Sequence, residues 1–120
     1  MKYFKRTLQL AVLIAVGFAS PAMAGRQTGT MAYISADKTY NTGVVTFSVI
    51  GGASSDKPAC AAGTDARWAL NVGDNAPANQ YIYSLIVSSM SSSFQISVTG
   101  TGKCTTVSWL EDVAYVEIRK

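Results

Sequence analysis

One stretch of this chain carries helical spacing while the segments on either side carry strand spacing, and that contrast constrains the fold more than any other feature. From residue 77 to about residue 91 the apolar positions Ile82, Leu85, Ile86 and Met90 recur as one face of a helix. Directly afterwards Phe94, Ile96 and Val98 alternate with Gln95, Ser97 and Thr99, the period of a half-buried strand. The helix also has a start signal: Asp74 or Asn75 can cap its free N–H groups, and Pro77 suits a first turn, where its missing N–H costs nothing.

Three segments before the helix read as strands. Residues 29–35 set Met31, Tyr33 and Ser35 against Thr30, Ala32 and Ile34, and a turn-forming polar cluster follows at 37–43. Residues 44–50, β-branched and aromatic between glycines, read as a central strand. Residues 67–72 put Trp68, Leu70 and Val72 on one face, after a long connection at 51–65 that holds Cys60. Beyond the helix, residues 94–99 and 112–118 are the fourth and fifth strands, the last with Val113 and Tyr115 opposite Ala114, Val116 and Ile118. A tight connection at 100–104 leaves the fourth strand, and residues 105–110 form either an extra strand or an ordered loop. The expected fold is mostly β in the order β-β-β-α-β-β, a small barrel like the oligonucleotide/oligosaccharide-binding (OB) fold or a curved sheet with one covering helix.

Residues 1–24 read as an address. Lys2, Lys5 and Arg6 precede an apolar run at 10–18, and Ala22-Met23-Ala24 closes the segment, the order of a secretory signal peptide with cleavage after Ala24. The run is shorter than the roughly 20 residues that a membrane anchor needs. Residues 25–120 are then a single exported β-rich domain, periplasmic or secreted, without a membrane span. Three of the ten basic residues leave with the leader, so seven remain against seven acids and the mature net charge is zero. That balance argues against a nucleic acid or an anionic membrane as partner and mildly favours self-association. The two cysteines, Cys60 and Cys104, are expected to form a disulfide in an oxidising compartment, since they lack the Cys-x-x-Cys spacing of a redox pair.

The chain has no histidine, which excludes Ser-His-Asp and Cys-His triads, histidine-ligated zinc and histidine acid/base work. The serines at 88–93 have no activating base in the sequence around them. Glu111 and Asp112 are adjacent, and on a strand neighbouring side chains point to opposite faces, so they make no carboxylate couple. Asp56, Asp65 and Asp74 lack the spacing of a calcium loop. Residues 100–103 look like a phosphate-loop fragment, but Ser97 stands where its first glycine belongs. No cofactor and no metal site are expected.

Binding features are more prominent than catalytic ones. Tyr40 and Trp109 stand in polar loops, and Arg67 and Glu111 complete the candidate contact residues for a ligand or partner. Trp68, on one strand face with Leu70 and Val72, is expected in the core, whereas Tyr115 is open between the core and a binding surface. Arg67 and Glu111 are also expected to form an ion pair joining strands three and five.

Cys60, Arg67-Trp68, the helix around Tyr83-Ser84-Leu85, Gly100-Thr-Gly-Lys-Cys104 and Glu111-Asp-Val-Ala-Tyr115 together resemble a group of small exported bacterial proteins of uncharacterised function. Their pattern is Cys, then Arg-Trp/Tyr, a helix, Gly-x-Gly-x-Cys and Glu-x-Val. In architecture the chain is also similar to the OB-fold B subunits of AB5 toxins, and that resemblance implies a disulfide, a homo-oligomeric ring and glycan recognition. The reading is a small exported binding module without enzymatic activity, a candidate homo-oligomer whose ligand is a glycan or a protein. The alternative is a periplasmic structural or accessory protein, or an inhibitor, that binds another exported protein.

Overall fold

The computed structural model describes residues 23–38, 43–52, 54–73 and 77–120. Most of the expected leader, the expected helix caps Asp74 and Asn75, and Tyr40 lie outside them. Among the described residues five strands and one α-helix are present: β1 Arg26–Asp37, β2 Val44–Ile50, β3 Arg67–Asn71, α1 Pro77–Ser92, β4 Gln95–Gly100 and β5 Glu111–Arg119. The strands close into a barrel in the order β1-β2-β3-β5-β4. All neighbours are antiparallel except β3 and β5, which meet in parallel through Trp68 opposite Glu111 and Ala69 opposite Asp112. The fold is thus the expected mostly-β barrel with one helix between the third and fourth strands.

Closure makes the pleat decide which residues see the interior. Phe47, Trp68, Ile86, Ile96 and Val98 are at most 1% exposed and form the main core with Val49, Leu70, Val113 and Val116. Trp68 is therefore a core residue, as expected. Tyr115 is not; it is 55% exposed. The reason is a register shift at Thr99/Gly100: Thr99 pairs with Tyr115 but Gly100 pairs with Val113, so Ala114 is an extra residue and the inward parity of β5 changes across it. A second shift, between Met31 and Tyr33, does the same to β1. Met31 and Ile34 both pack on the core, where simple alternation would put them on opposite faces.

The helix begins at Pro77 and leans on the barrel with Ile82, Tyr83 and Ile86. Its fully buried polar position is Ser89, whose hydroxyl donates to the carbonyl of Phe94 at 3.1 Å. Leu85 and Met90, expected on the core face, are 39% and 41% exposed, because Ser89 takes the buried slot where the chain turns back. Ser84, Ser88, Ser91 and Ser92 donate to carbonyls one turn earlier, which suits a serine-rich outer face. Ser93 stops the helix in the left-handed region, with φ 56°.

The disulfide is formed. Cys60, in a 3-10 turn at Ala59–Ala61, bonds Cys104 with their Cα atoms 6.2 Å apart. It ties the β2–β3 connection to the β4–β5 loop, two long segments with little regular structure. Residues 105–110 are an ordered loop with a single bridge between Val107 and Leu110, not a sixth strand. This loop lies over the outer face of the sheet, where Val107 and Leu110 bury Val44 and Ala69 in a second small core.

Candidate functional site

The parity change in β1 has a direct result on the surface. Tyr33, Ser48 and Arg67 stand opposite one another on β1, β2 and β3, as do Ser35, Thr46 and Ala69 in the next row, all on the outer face. The β4–β5 loop brings Trp109 against these rows. A cleft of about 300 Å³ results, lined by Tyr33, Ser35, Asp37, Thr46, Arg67 and Trp109, with Val107 and Leu110 at its floor. Tyr33 and Trp109 are 44% and 47% exposed, large amphipathic rings whose partial exposure suits contact with a ligand. The Arg67 guanidinium donates to both oxygens of Asp65 and holds that carboxyl below its ordinary value, over a smaller opposing effect of burial.

The loop that carries Trp109 is held by Asp112. Its carboxylate accepts from the Thr105 N–H at 2.8 Å, the Thr106 N–H at 2.9 Å and the Thr105 hydroxyl, while its own N–H donates to Lys103 O. Burial alone would raise this carboxyl, but the Thr105 and Thr106 donors outweigh it and the net shift is downward.

One residue away, Glu111 faces the other side. It is 0% exposed and lies in the row Ile34, Phe47, Trp68, Glu111 that crosses four strands inside the barrel wall. Oε1 accepts from Gly25 N at 2.8 Å and from Gly102 N at 2.9 Å. Oε2 is buried with no hydrogen-bond partner. A methyl group on Gly100 would collide with this carboxylate, and one on Gly25 would collide with Oε2 and crowd Lys57 and Trp68, so both glycines are required by close approach. Lys57 Nζ sits 4.7 Å from the centre of the Trp68 ring, and burial pushes its amine down against the opposing pull of Glu111 and Asp65. Gln27 completes the pocket: its Oε1 accepts the Trp68 indole N–H at 2.9 Å and its Nε2 donates to Val49 O at 2.8 Å.

The expected contact residues thus separate. Arg67 and Trp109 meet in the outer cleft, Glu111 is buried behind it, and Tyr40 lies outside the described residues. The expected Arg67–Glu111 ion pair is absent because Arg67, next to Trp68 on the same strand, points to the opposite face and takes Asp65 as partner. Tyr33, missed as a contact residue, and Gln27, missed altogether, owe their positions to the bulge in β1 and to a strand that starts three residues before the expected Gly29. A larger cavity of about 570 Å³ lies at the end of the barrel beside α1, lined mainly by Val44, Val45, Val72 and Tyr83. Among the described residues it gathers none of the expected contact residues and has Asp37 and Lys38 for charge, so the aromatic cleft, which brings Arg67 and Trp109 together, is the better candidate despite its smaller size.

Among the described residues no group of three or more Cys, Asp or Glu side chains is placed to hold a metal ion, and no helix is long and apolar enough to cross a membrane. Comparison with protein-family models, with curated proteins and with solved structures finds no match to this chain.

Proposed function

We propose that this chain is an exported OB-type binding module that holds a glycan in the cleft between Tyr33, Arg67 and Trp109 without transforming it. The observation that carries the reading is the pairing of two half-exposed aromatic rings with Ser35, Asp37, Thr46 and Arg67 in one small cleft. Sugar rings offer apolar faces for stacking and hydroxyls for hydrogen bonds, and this lining supplies both kinds of partner. The strand order 1-2-3-5-4, with the helix after β3, supports the OB reading, in which ligands bind the face of strands two and three beside the loop between strands four and five. The leader-like residues 1–24, the disulfide and the absence of histidine support an exported, non-catalytic role.

A glycan array probed with the mature chain, followed by titration of any hit, tests this directly. Binding that is lost in Trp109→Ala and Tyr33→Ala but kept in a helix-surface variant supports the proposal. A flat array at high protein concentration counts against the glycan.

A second reading rests on α1. Tyr81 and Leu85, four residues apart, are 72% and 39% exposed on its outer face, a surface suited to a second copy or another exported protein. Native mass spectrometry of the oxidised chain tests self-association, since a closed ring would give weak cleft sites avidity, whereas a monomer that recovers one stoichiometric envelope protein in a pull-down would favour the accessory role.

A further inference from the structure

We infer that signal-peptide cleavage completes the barrel, because the new α-ammonium group of Gly25 forms a buried ion pair with Glu111. The inference rests on the export reading above and extends it from an address to a structural step. In the uncut chain Gly25 contributes one amide N–H, already used on Glu111 Oε1 at 2.8 Å. Glu111 is then a fully buried carboxylate with two backbone donors on one oxygen and none on the other. Such an oxygen is costly to leave unpartnered.

Hydrolysis of the Ala24–Gly25 bond supplies what is missing. Water adds across the C–N bond, its oxygen ends in the Ala24 carboxylate, and the Gly25 nitrogen takes up protons to become –NH₃⁺. One donor becomes three at a nitrogen already in contact with the carboxylate. The Gly25 α-carbon is so close to Oε2 that a methyl group there would overlap it, so the ammonium can span both oxygens. A positive charge now faces the buried negative one, and charge-assisted hydrogen bonds are about twice as strong as neutral ones. Gly25 is held from the other side as well, since its carbonyl accepts from Gly100 N at 2.8 Å. Lys57, the other cation of the pocket, lies over Trp68 and makes no salt bridge with Glu111 within 4.0 Å among the described residues, and Asp65 faces Lys57.

The interior of the barrel thus fits a chain that begins at Gly25, the residue that follows the Ala-x-Ala signal. One residue more leaves the ammonium outside; a larger residue at 25 does not fit.

The test compares three forms of the disulfide-bonded protein: residues 25–120 with a free Gly25 amine, the same chain Nα-acetylated, and the chain beginning at Ala24. Thermal denaturation at pH 7 is expected to place the free-amine form roughly 5–10 °C above the other two, and Glu111→Gln is expected to remove most of that gap. Equal melting temperatures in the wild-type background overturn the inference. Should Glu111→Gln fail to fold, NMR titration of the Gly25 α-protons in the wild-type chain takes its place. Titration at least about one pH unit above the ordinary 7.7–8.0 of an α-amine supports the pair, and titration within that range overturns it. Sequencing the N-terminus of the chain exported from a bacterial host separates the two claims. A chain that stays in the cytoplasm uncut removes the export reading and the inference with it, an exported chain that starts at another residue removes the inference alone, and a Gly25 start with equal melting temperatures removes the ion pair alone.

Discussion

The outer cleft and the buried carboxylate pocket are built from adjacent residues of the same strands and differ in almost every physical respect. Arg67 and Trp109 face water, while Trp68 and Glu111, one and two positions on, are fully buried. In the pocket most polar groups meet fixed donors or acceptors: Gln27 satisfies the Trp68 indole, and Gly25 and Gly102 satisfy one oxygen of Glu111. In the cleft the rings are half exposed, and Arg67, though bonded to Asp65, borders open space together with Ser35 and Thr46. The contrast teaches that the seam between β3 and β5 serves stability on its inner side and leaves its outer side available for recognition. Changes on the two sides should therefore separate, and the following outcomes break or sharpen that division.

The largest effect should come from the one element that touches both regions. Cys104 anchors the loop that carries Trp109 outward and leads into Glu111, so Cys104→Ser should cost about 4 kcal/mol by the chain-entropy argument for a 44-residue separation. It should weaken cleft binding as well, and chemical denaturation alongside ligand titration would measure both. Retained affinity in the folded fraction would mean that Asp112 alone holds the loop. Glu111→Ala should come next, at about 3 kcal/mol, since it strips the Gly25 and Gly102 N–H groups of their acceptor and leaves a void beside Trp68. Here the affinity of the folded protein should not change; a parallel loss would break the division.

Asp112→Asn should cost about 1–2 kcal/mol at neutral pH, because an amide replaces a carboxylate that accepts from Thr105 and Thr106. The folded-state value of this group is depressed, so its contribution is present above the unfolded value near 4 and is lost as pH falls through the folded value below that. The stability gap between wild type and variant, read from urea midpoints, should be constant from pH 7 to about 5 and close on further acidification. Trp109→Ala should change stability least, by no more than about 0.5 kcal/mol, as expected for a half-exposed ring. Its effect should fall on binding, which isothermal titration would show as at least roughly a tenfold loss.

Much of this arrangement was legible in the chain. The helix among strands follows from two different periods, and the disulfide follows from two cysteines without the spacing of a redox pair in a chain read as exported. Glycine-bounded residues 44–50 form β2 as the pattern requires. What the pattern did not carry was parity. The extra residues at Ala32 and Ala114 reverse the inward face partway along β1 and β5, and nothing in alternating hydrophobicity distinguishes a bulge from a regular pleat there. So Tyr115, which the pattern left open between core and surface, lies outside, and Tyr33 joined the cleft. The pocket was not readable: Gly100 and Gly102 read as a tight connection, and their approach to the Glu111 carboxylate depends on how β4 and β5 pair. Gln27 left no signal, because its burial depends on Trp68 reaching across the barrel for an acceptor.

The two tryptophans give the most direct test, since each region holds one and each indole N–H is a separate NMR signal. Titration of the ¹⁵N-labelled mature chain with the oligosaccharides retained on an array should move the Trp109 indole signal together with the Tyr33 and Arg67 amides, and leave the Trp68 indole, held by Gln27, in place. Movement of Trp68 with Trp109 unmoved, or no movement of either at millimolar ligand, would contradict the assignment of recognition to the outer side of the seam and stability to the inner.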